Sequence, residues 1–176
     1  MAEDIAAAMH RVEAILRRRP ETGLHDDAPA TAQWQSGTRI ASRHPNGTQV
    51  QTDMPTELGG SGDQVTPGWL FRAGVASCLA TCIAMRAASA GIELSALEVR
   101  ASSRSDLRGL LRMRDTAGEI VGAGPSDVRL VVRIKAHGIR PEQLRDLVEE
   151  SHQCSPMPTA LRNAVPIELR IEADAE

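Results

Sequence analysis

Apolar positions fall into a small number of clear periodicities along the chain. Residues 4–19 place Ile5, Met9, Val12, Ile15 and Leu16 at helical spacing, with Arg17, Arg18 and Arg19 where a helix C-terminus favours cations. Pro20 and Gly23 stop that helix, and Pro29 closes a linker over 20–30. Segments 31–36, 38–43 and 48–54 are short and rich in Thr, Gln and Val, and Asn46-Gly47 between the last two is a hairpin signal. A polar glycine-rich loop, 57–64, follows. Thr66-Pro67 then supplies a hydroxyl N-cap and a proline for the first turn of a helix that runs to about Ala90 and is closed by Gly91.

That helix would span about 36 Å. Its middle is apolar on nearly every face, the mark of a helix surrounded by protein, and one subunit of this size has little with which to cover it. Small residues (Ala73, Gly74, Ala76, Ser77, Ala80, Ala84) invite close approach by other backbones. Beyond it, 94–103, 107–114 and 128–136 read as strands. Val128, Leu130, Val132 and Ile134 alternate with Arg129, Arg133 and Lys135, which predicts one buried and one wet face. A helix over 141–152, a turn or short helix after Cys154, and a strand over 167–171 complete the pattern. The order predicts an α+β fold, an antiparallel sheet wrapped on a long central helix, with residues 1–30 as an extra N-terminal helical arm and 31–176 as the domain proper.

Composition narrows the function. The 176 residues carry a net charge of -3, so no basic excess exists to hold a phosphate backbone. Trp34, Trp69 and Phe71 are the only aromatic residues, too few for a base-stacking platform, and no nucleic-acid partner is expected. The longest apolar stretch, 73–85, lies between Arg72 and Arg86 and reads as a buried helix rather than a membrane span. Acidic residues at the N-terminus are unlike a signal peptide, and an odd count of three cysteines is no disulfide framework, so the expectation is a cytoplasmic protein with reduced thiols.

The chemistry-bearing residues are Cys78, Cys82 and Cys154. Cys78 and Cys82 stand four apart on one face of the central helix, where their Cβ vectors run alongside one another and do not suit a disulfide. Cys154 lies in HQCSPMPTAL, where prolines fix an irregular backbone. Each cysteine also reads as a small buried hydrophobe. A zinc set of His152, Cys154, Cys78 and Cys82 matches no familiar ligand spacing, and a Cys154–His152 dyad lacks an orienting group, so neither metal nor cofactor is expected. The run Gly59-Gly60-Ser61-Gly62 lacks the Lys and Ser/Thr of a phosphate loop.

Three stretches carry a resemblance: ELGGSG at 57–62, TPGWLFRAGVASC at 66–78 and CSPMPTAL at 154–161. Over about 31–172 the chain resembles the OsmC/Ohr family of thiol-dependent hydroperoxide reductases. The resemblance implies an intertwined homodimer with two active sites at the subunit interface. It implies Cys78 as the peroxidatic thiol, Cys154 as the resolving thiol, an organic hydroperoxide as substrate, and a dithiol such as a lipoylated protein as reductant. It also implies an activating arginine from the early strands, Arg39 or, with a one-residue shift, Arg43, held by a glutamate at the start of the central helix. Here that position is Gly68, and the acids at hand are Asp53, Glu57 and Asp63 in the preceding segment. The other reading is a non-catalytic protein of the same fold that binds a small apolar or thiol-reactive ligand at the dimer interface.

Overall fold

The structure is a computed structural model that describes residues 2–173. Five helices and five strands follow the expected order, with two departures. Helix α1 (Ala2–Arg18) leads through a short 3-10 turn (Pro20–Gly23) to strands β1 (Thr31–Ser36), β2 (Arg39–Arg43) and β3 (Gln49–Thr52). These form an antiparallel meander in the order β1-β2-β3. The β2–β3 turn is made by Asn46, whose side chain accepts from Thr48 N, and by Gly47 in the left-handed region (φ 93°).

Helix α2 (Pro67–Ser89) begins as its sequence dictates: Thr66 Oγ1 accepts from Trp69 N at 3.2 Å, and Pro67 fills the first turn. Gly91, at φ 67°, ends it. Strands β4 (Leu94–Arg104) and β5 (Ser126–Ala136) pair antiparallel as a separate two-stranded sheet. A bulge between Leu94 and Ala96 lets Leu94 and Leu97 share a face although they are three residues apart. Leu94, Leu97, Val99, Leu130, Val132 and Ile134 then close on Leu79, Ile83 and Ala87 of α2 and on Leu147 of α4 (Pro141–Cys154). Helix α5 (Pro156–Asn163) crosses α2, bringing Met157 over Gly74. Helix α1 also packs on α2, and Met9 Sδ accepts from Ser89 Oγ at 3.1 Å.

The first departure lies at 107–114, expected as a strand. Asp106 caps Arg108 N instead, and Leu107–Leu110 form a helical turn, α3. Gly109 packs so closely on the Gly122 backbone that a Cβ would lie 2.2 Å from the Gly122 carbonyl oxygen. The second is 167–171, expected as a strand, which is extended chain with no strand partner among the described residues. Ile167 and Leu169 are 93% and 81% exposed. The single sheet expected from the sequence is thus two sheets among the described residues, β1-β2-β3 and β4-β5, while an isolated bridge ties Thr52 at the end of β3 to Val65 just before α2.

The chain on its own is open. Its accessible surface is 13595 Å², against about 8,300 Å² for a compact monomer of 18.9 kDa. Every residue of β1 is exposed, Trp34 among them at 67%. By length and composition α2 would be able to cross a membrane; here one face of it forms the core of the domain.

Candidate functional site

Helix geometry brings Cys78 and Cys82 to one side of α2, about 100° around from the Leu79 and Ile83 face that enters the core. The α4–α5 junction folds across this side. Together Ser77, Cys78, Thr81, Cys82, Met85, Cys154 and Pro156 line an open cavity of about 510 Å³. All three cysteines are free thiols; Cys78 and Cys82 are half-buried and Cys154 is exposed. The structure therefore brings together Cys78 and Cys154, which lie far apart in sequence.

Cys78 Sγ receives two hydrogen bonds. Ser155 Oγ, itself fully buried, donates at 3.3 Å, and Met157 N donates at 3.4 Å. Met157 stands in the first turn of α5, where backbone N–H groups have no partner within the helix, and the preceding Pro156 has no N–H to offer. One such orphan donor is aimed at sulfur. This is a setting that suits a negatively charged sulfur, supplied by donors and a helix N-terminus. Cys154 differs: its Sγ donates to Ser151 O at 3.4 Å at the end of α4. Burial pushes the Cys82 thiol up, as do the neighbouring Cys78 and Cys154 sulfurs, while a hydrogen bond with Ser155 works the other way.

Arg39 lies elsewhere. It does not line the cysteine cavity. Its Nη2 donates to Asp63 Oδ1 at 2.5 Å, Ser61 Oγ at 2.7 Å and Asp53 Oδ2 at 3.3 Å. Asp53 is buried at the end of β3 and accepts from Thr38 Oγ1 (2.5 Å), Met54 N (2.8 Å) and Ser61 N (3.1 Å). Hydrogen bonds from Ser61 and then Thr38 hold its carboxyl well below the usual carboxylate range. The loop that delivers Ser61 is tight: a Cβ on Gly60 would lie 1.8 Å from the Met54 carbonyl oxygen. Arg43 is spent on Gln33 and Gln49. Thus Arg39, not Arg43, is the arginine clamped by acids, and those acids are Asp53 and Asp63. Gly68 faces only Arg72 and Thr66.

His152 sits in a different cavity with Val75, Val128, Leu130 and Leu161, apart from the thiols. Among the described residues no cluster of three or more His, Cys, Asp or Glu is placed to hold a metal ion. Sequence reasoning missed Ser155 and the Met157 N–H. A serine between Cys154 and a proline at a helix start was the one available sign.

Comparison with known proteins agrees with this architecture. No curated protein matches the chain significantly. Among solved structures, an organic hydroperoxide resistance protein from Elizabethkingia anophelis, with thiocyanate bound, is 27% identical; the match covers 79% of this chain and 90% of that one, with a TM-score of 0.60. A protein of Vibrio cholerae assigned as an organic hydroperoxide resistance protein, with captopril bound in one of its active sites, is 25% identical over 79% of this chain and 88% of that one, at 0.53. An OsmC-like protein from Mycoplasma pneumoniae is 14% identical over 79% and 89%, at 0.63, a likeness of fold alone. The family model described as OsmC-like protein matches residues 60–170, which takes in α2, both of its cysteines, the β4–β5 sheet, Cys154 and α5. The chain belongs to the OsmC-like protein family, with organic hydroperoxide resistance proteins among its structural neighbours.

Proposed function

We propose that this protein reduces organic hydroperoxides with a pair of cysteines, as part of a response to oxidative stress. The observation that carries the reading is the convergence of Cys78 and Cys154 on one cavity, with Ser155 Oγ and Met157 N donating to the Cys78 sulfur. The Cys78 thiolate attacks the terminal peroxide oxygen. The O–O bond breaks, the alcohol leaves with a proton, and Cys78 becomes a sulfenic acid. The Cys154 thiol then attacks that sulfur, an S–S bond forms and water departs. A dithiol, such as a lipoylated protein, reopens the bond by two thiol exchanges. The apolar lining from Met85 and Pro156 suits an organic hydroperoxide better than hydrogen peroxide.

In this reading the protein is an intertwined homodimer, and Arg39 reaches the thiols from a second copy. The excess surface of the single chain, the exposed β1 and the segment 167–171, which has no strand partner among the described residues, support a large interface of the obligate kind, commonly ~2,000–5,000 Å². Asp53 and Asp63 take the part of the glutamate absent at Gly68. Residues 1–30 are an arm added to the domain 31–176, and the protein works in the cytoplasm, a compartment that keeps such thiols reduced. One observation favours a non-catalytic reading: within one chain Arg39 and the cysteines are apart. On that reading the cavity binds a small apolar or thiol-reactive ligand without turnover.

One equivalent of cumene hydroperoxide separates the two. The two-thiol reading predicts rapid loss of about two hydrogens in mass, a first-formed Cys78–Cys154 link, and a trappable sulfenic acid at Cys78 in Cys154→Ser. Unchanged mass and fully alkylatable cysteines would favour the binding protein.

A further inference from the structure

Three thiols, rather than two, meet at the cavity. Cys82 stands one helical turn beyond Cys78 on α2 and lines the same wall. It is outside the apolar core that Leu79 and Ile83 enter, so packing does not explain it. Its pairing with Cys78 is closed by helix geometry, since Cβ vectors four apart run side by side. Cys154 is different: it comes from another element and faces the cavity with both. The adjoining Ser155 hydroxyl donates to Cys78 Sγ at 3.3 Å, so the segment that carries Cys154 is held against the helix face that carries Cys78 and Cys82.

We propose that Cys82 is a second disulfide partner for Cys154 and relays the oxidation away from Cys78. The inference rests on the two-thiol reading above. Once the Cys78–Cys154 disulfide exists, the Cys82 thiolate attacks Cys154 Sγ. The Cys82–Cys154 bond forms, the Cys154–Cys78 bond breaks, and Cys78 leaves as a thiolate. Two electrons are neither gained nor lost, and no further oxidant is needed. Cys78 leaves into the two donors, Ser155 Oγ and Met157 N, that already face its sulfur.

The relay resets Cys78 while the oxidising equivalent is stored one turn along the helix. A second hydroperoxide can then be attacked before any dithiol arrives, leaving Cys78 as sulfenic acid with no thiol left in the cavity to resolve it. Each chain would take up two equivalents without reductant, where a two-cysteine protein takes up one. Because burial pushes the Cys82 thiol up, few of these groups are ionised at neutral pH. Exchange is therefore slow there, and it accelerates by about tenfold per pH unit while the thiol remains mostly protonated.

The test uses full-length wild type, Cys82→Ser and Cys82→Ala, given cumene hydroperoxide without reductant, with free thiols blocked by N-ethylmaleimide at timed intervals. Trypsin releases 73–86, which holds Cys78 and Cys82, and 146–162, which holds Cys154. Fragmentation between positions 78 and 82 assigns the link. Wild type should pass from Cys78–Cys154 to Cys82–Cys154, faster at pH 8.5 than at pH 7, and consume about two equivalents per chain. Both Cys82 variants should stop at one, and that retained first equivalent shows that they are folded. A Cys82 that is alkylated in full at every time, with wild type also stopping at one equivalent, would overturn the relay and leave the two-thiol reading standing. If no cysteine becomes linked to Cys154, both fall together.

Discussion

At the scale of single residues, the buried groups around the site set its chemistry. Ser155 is fully buried, and its hydroxyl reaches Cys78 Sγ. Ser155→Ala removes one donor to a sulfur that must carry charge, an interaction commonly worth about 1.5–3 kcal/mol. Peroxide attack should slow by roughly tenfold or more, followed by stopped-flow mixing, with the far-UV spectrum unchanged. Asp53 makes a prediction in pH. Its carboxyl is held well below the usual range, so its contribution to stability is complete above the ordinary carboxylate pKa near 4 and is lost as pH falls through the depressed folded value. Asp53→Asn should melt below wild type at neutral pH, and the gap should narrow only below about pH 4. A gap that is constant down to pH 2 would show that the charge on Asp53 plays no part. The two motif contexts singled out Cys78 and Cys154 in the sequence, and both line one cavity in the structure. The Asp53–Ser61–Arg39 clamp was not, because it depends on how the loop after β3 folds back, and residue types alone do not report that path.

At the scale of elements, periodicity and punctuation carried most of the fold. Thr66-Pro67 and Gly91 mark both ends of α2, and Thr66→Ala should cost about 1 kcal/mol in denaturant unfolding. Leu79→Ala, at the centre of the core, should cost about 2–5 kcal/mol. The two misread strands have different causes. In 107–114 the apolar residues do not alternate cleanly, and the Asp106 cap with the close Gly109–Gly122 approach decides for a helical turn. Gly109→Ala should accordingly destabilise this helical turn and its packing on Gly122, since its Cβ would strike backbone rather than a movable side chain. In 167–171 the alternation is clear, but alternation only says which face is apolar and never names the partner strand. An extended apolar segment with no strand partner among the described residues fits the proposed homodimer, in which a second copy would supply one.

At the scale of the whole molecule, the surface excess and the exposed β1 support the proposed homodimer, in which a second copy would bring Arg39 to the thiols. Sedimentation equilibrium should give twice 18.9 kDa at micromolar concentration, and Trp34, now 67% exposed, should fluoresce as a buried indole. A monomer with exposed Trp34 would leave the site without its arginine. The central claim, that Cys78 and Cys154 together turn over an organic hydroperoxide, is tested most directly by steady-state consumption of cumene hydroperoxide with dihydrolipoamide as reductant. Wild type, Cys78→Ala and Cys154→Ser are compared, with hydrogen peroxide as a second substrate. The account predicts fast turnover in wild type, a preference for the organic peroxide, and loss of turnover in both variants. Wild type without turnover, or a Cys78→Ala variant that retains it, would contradict the account.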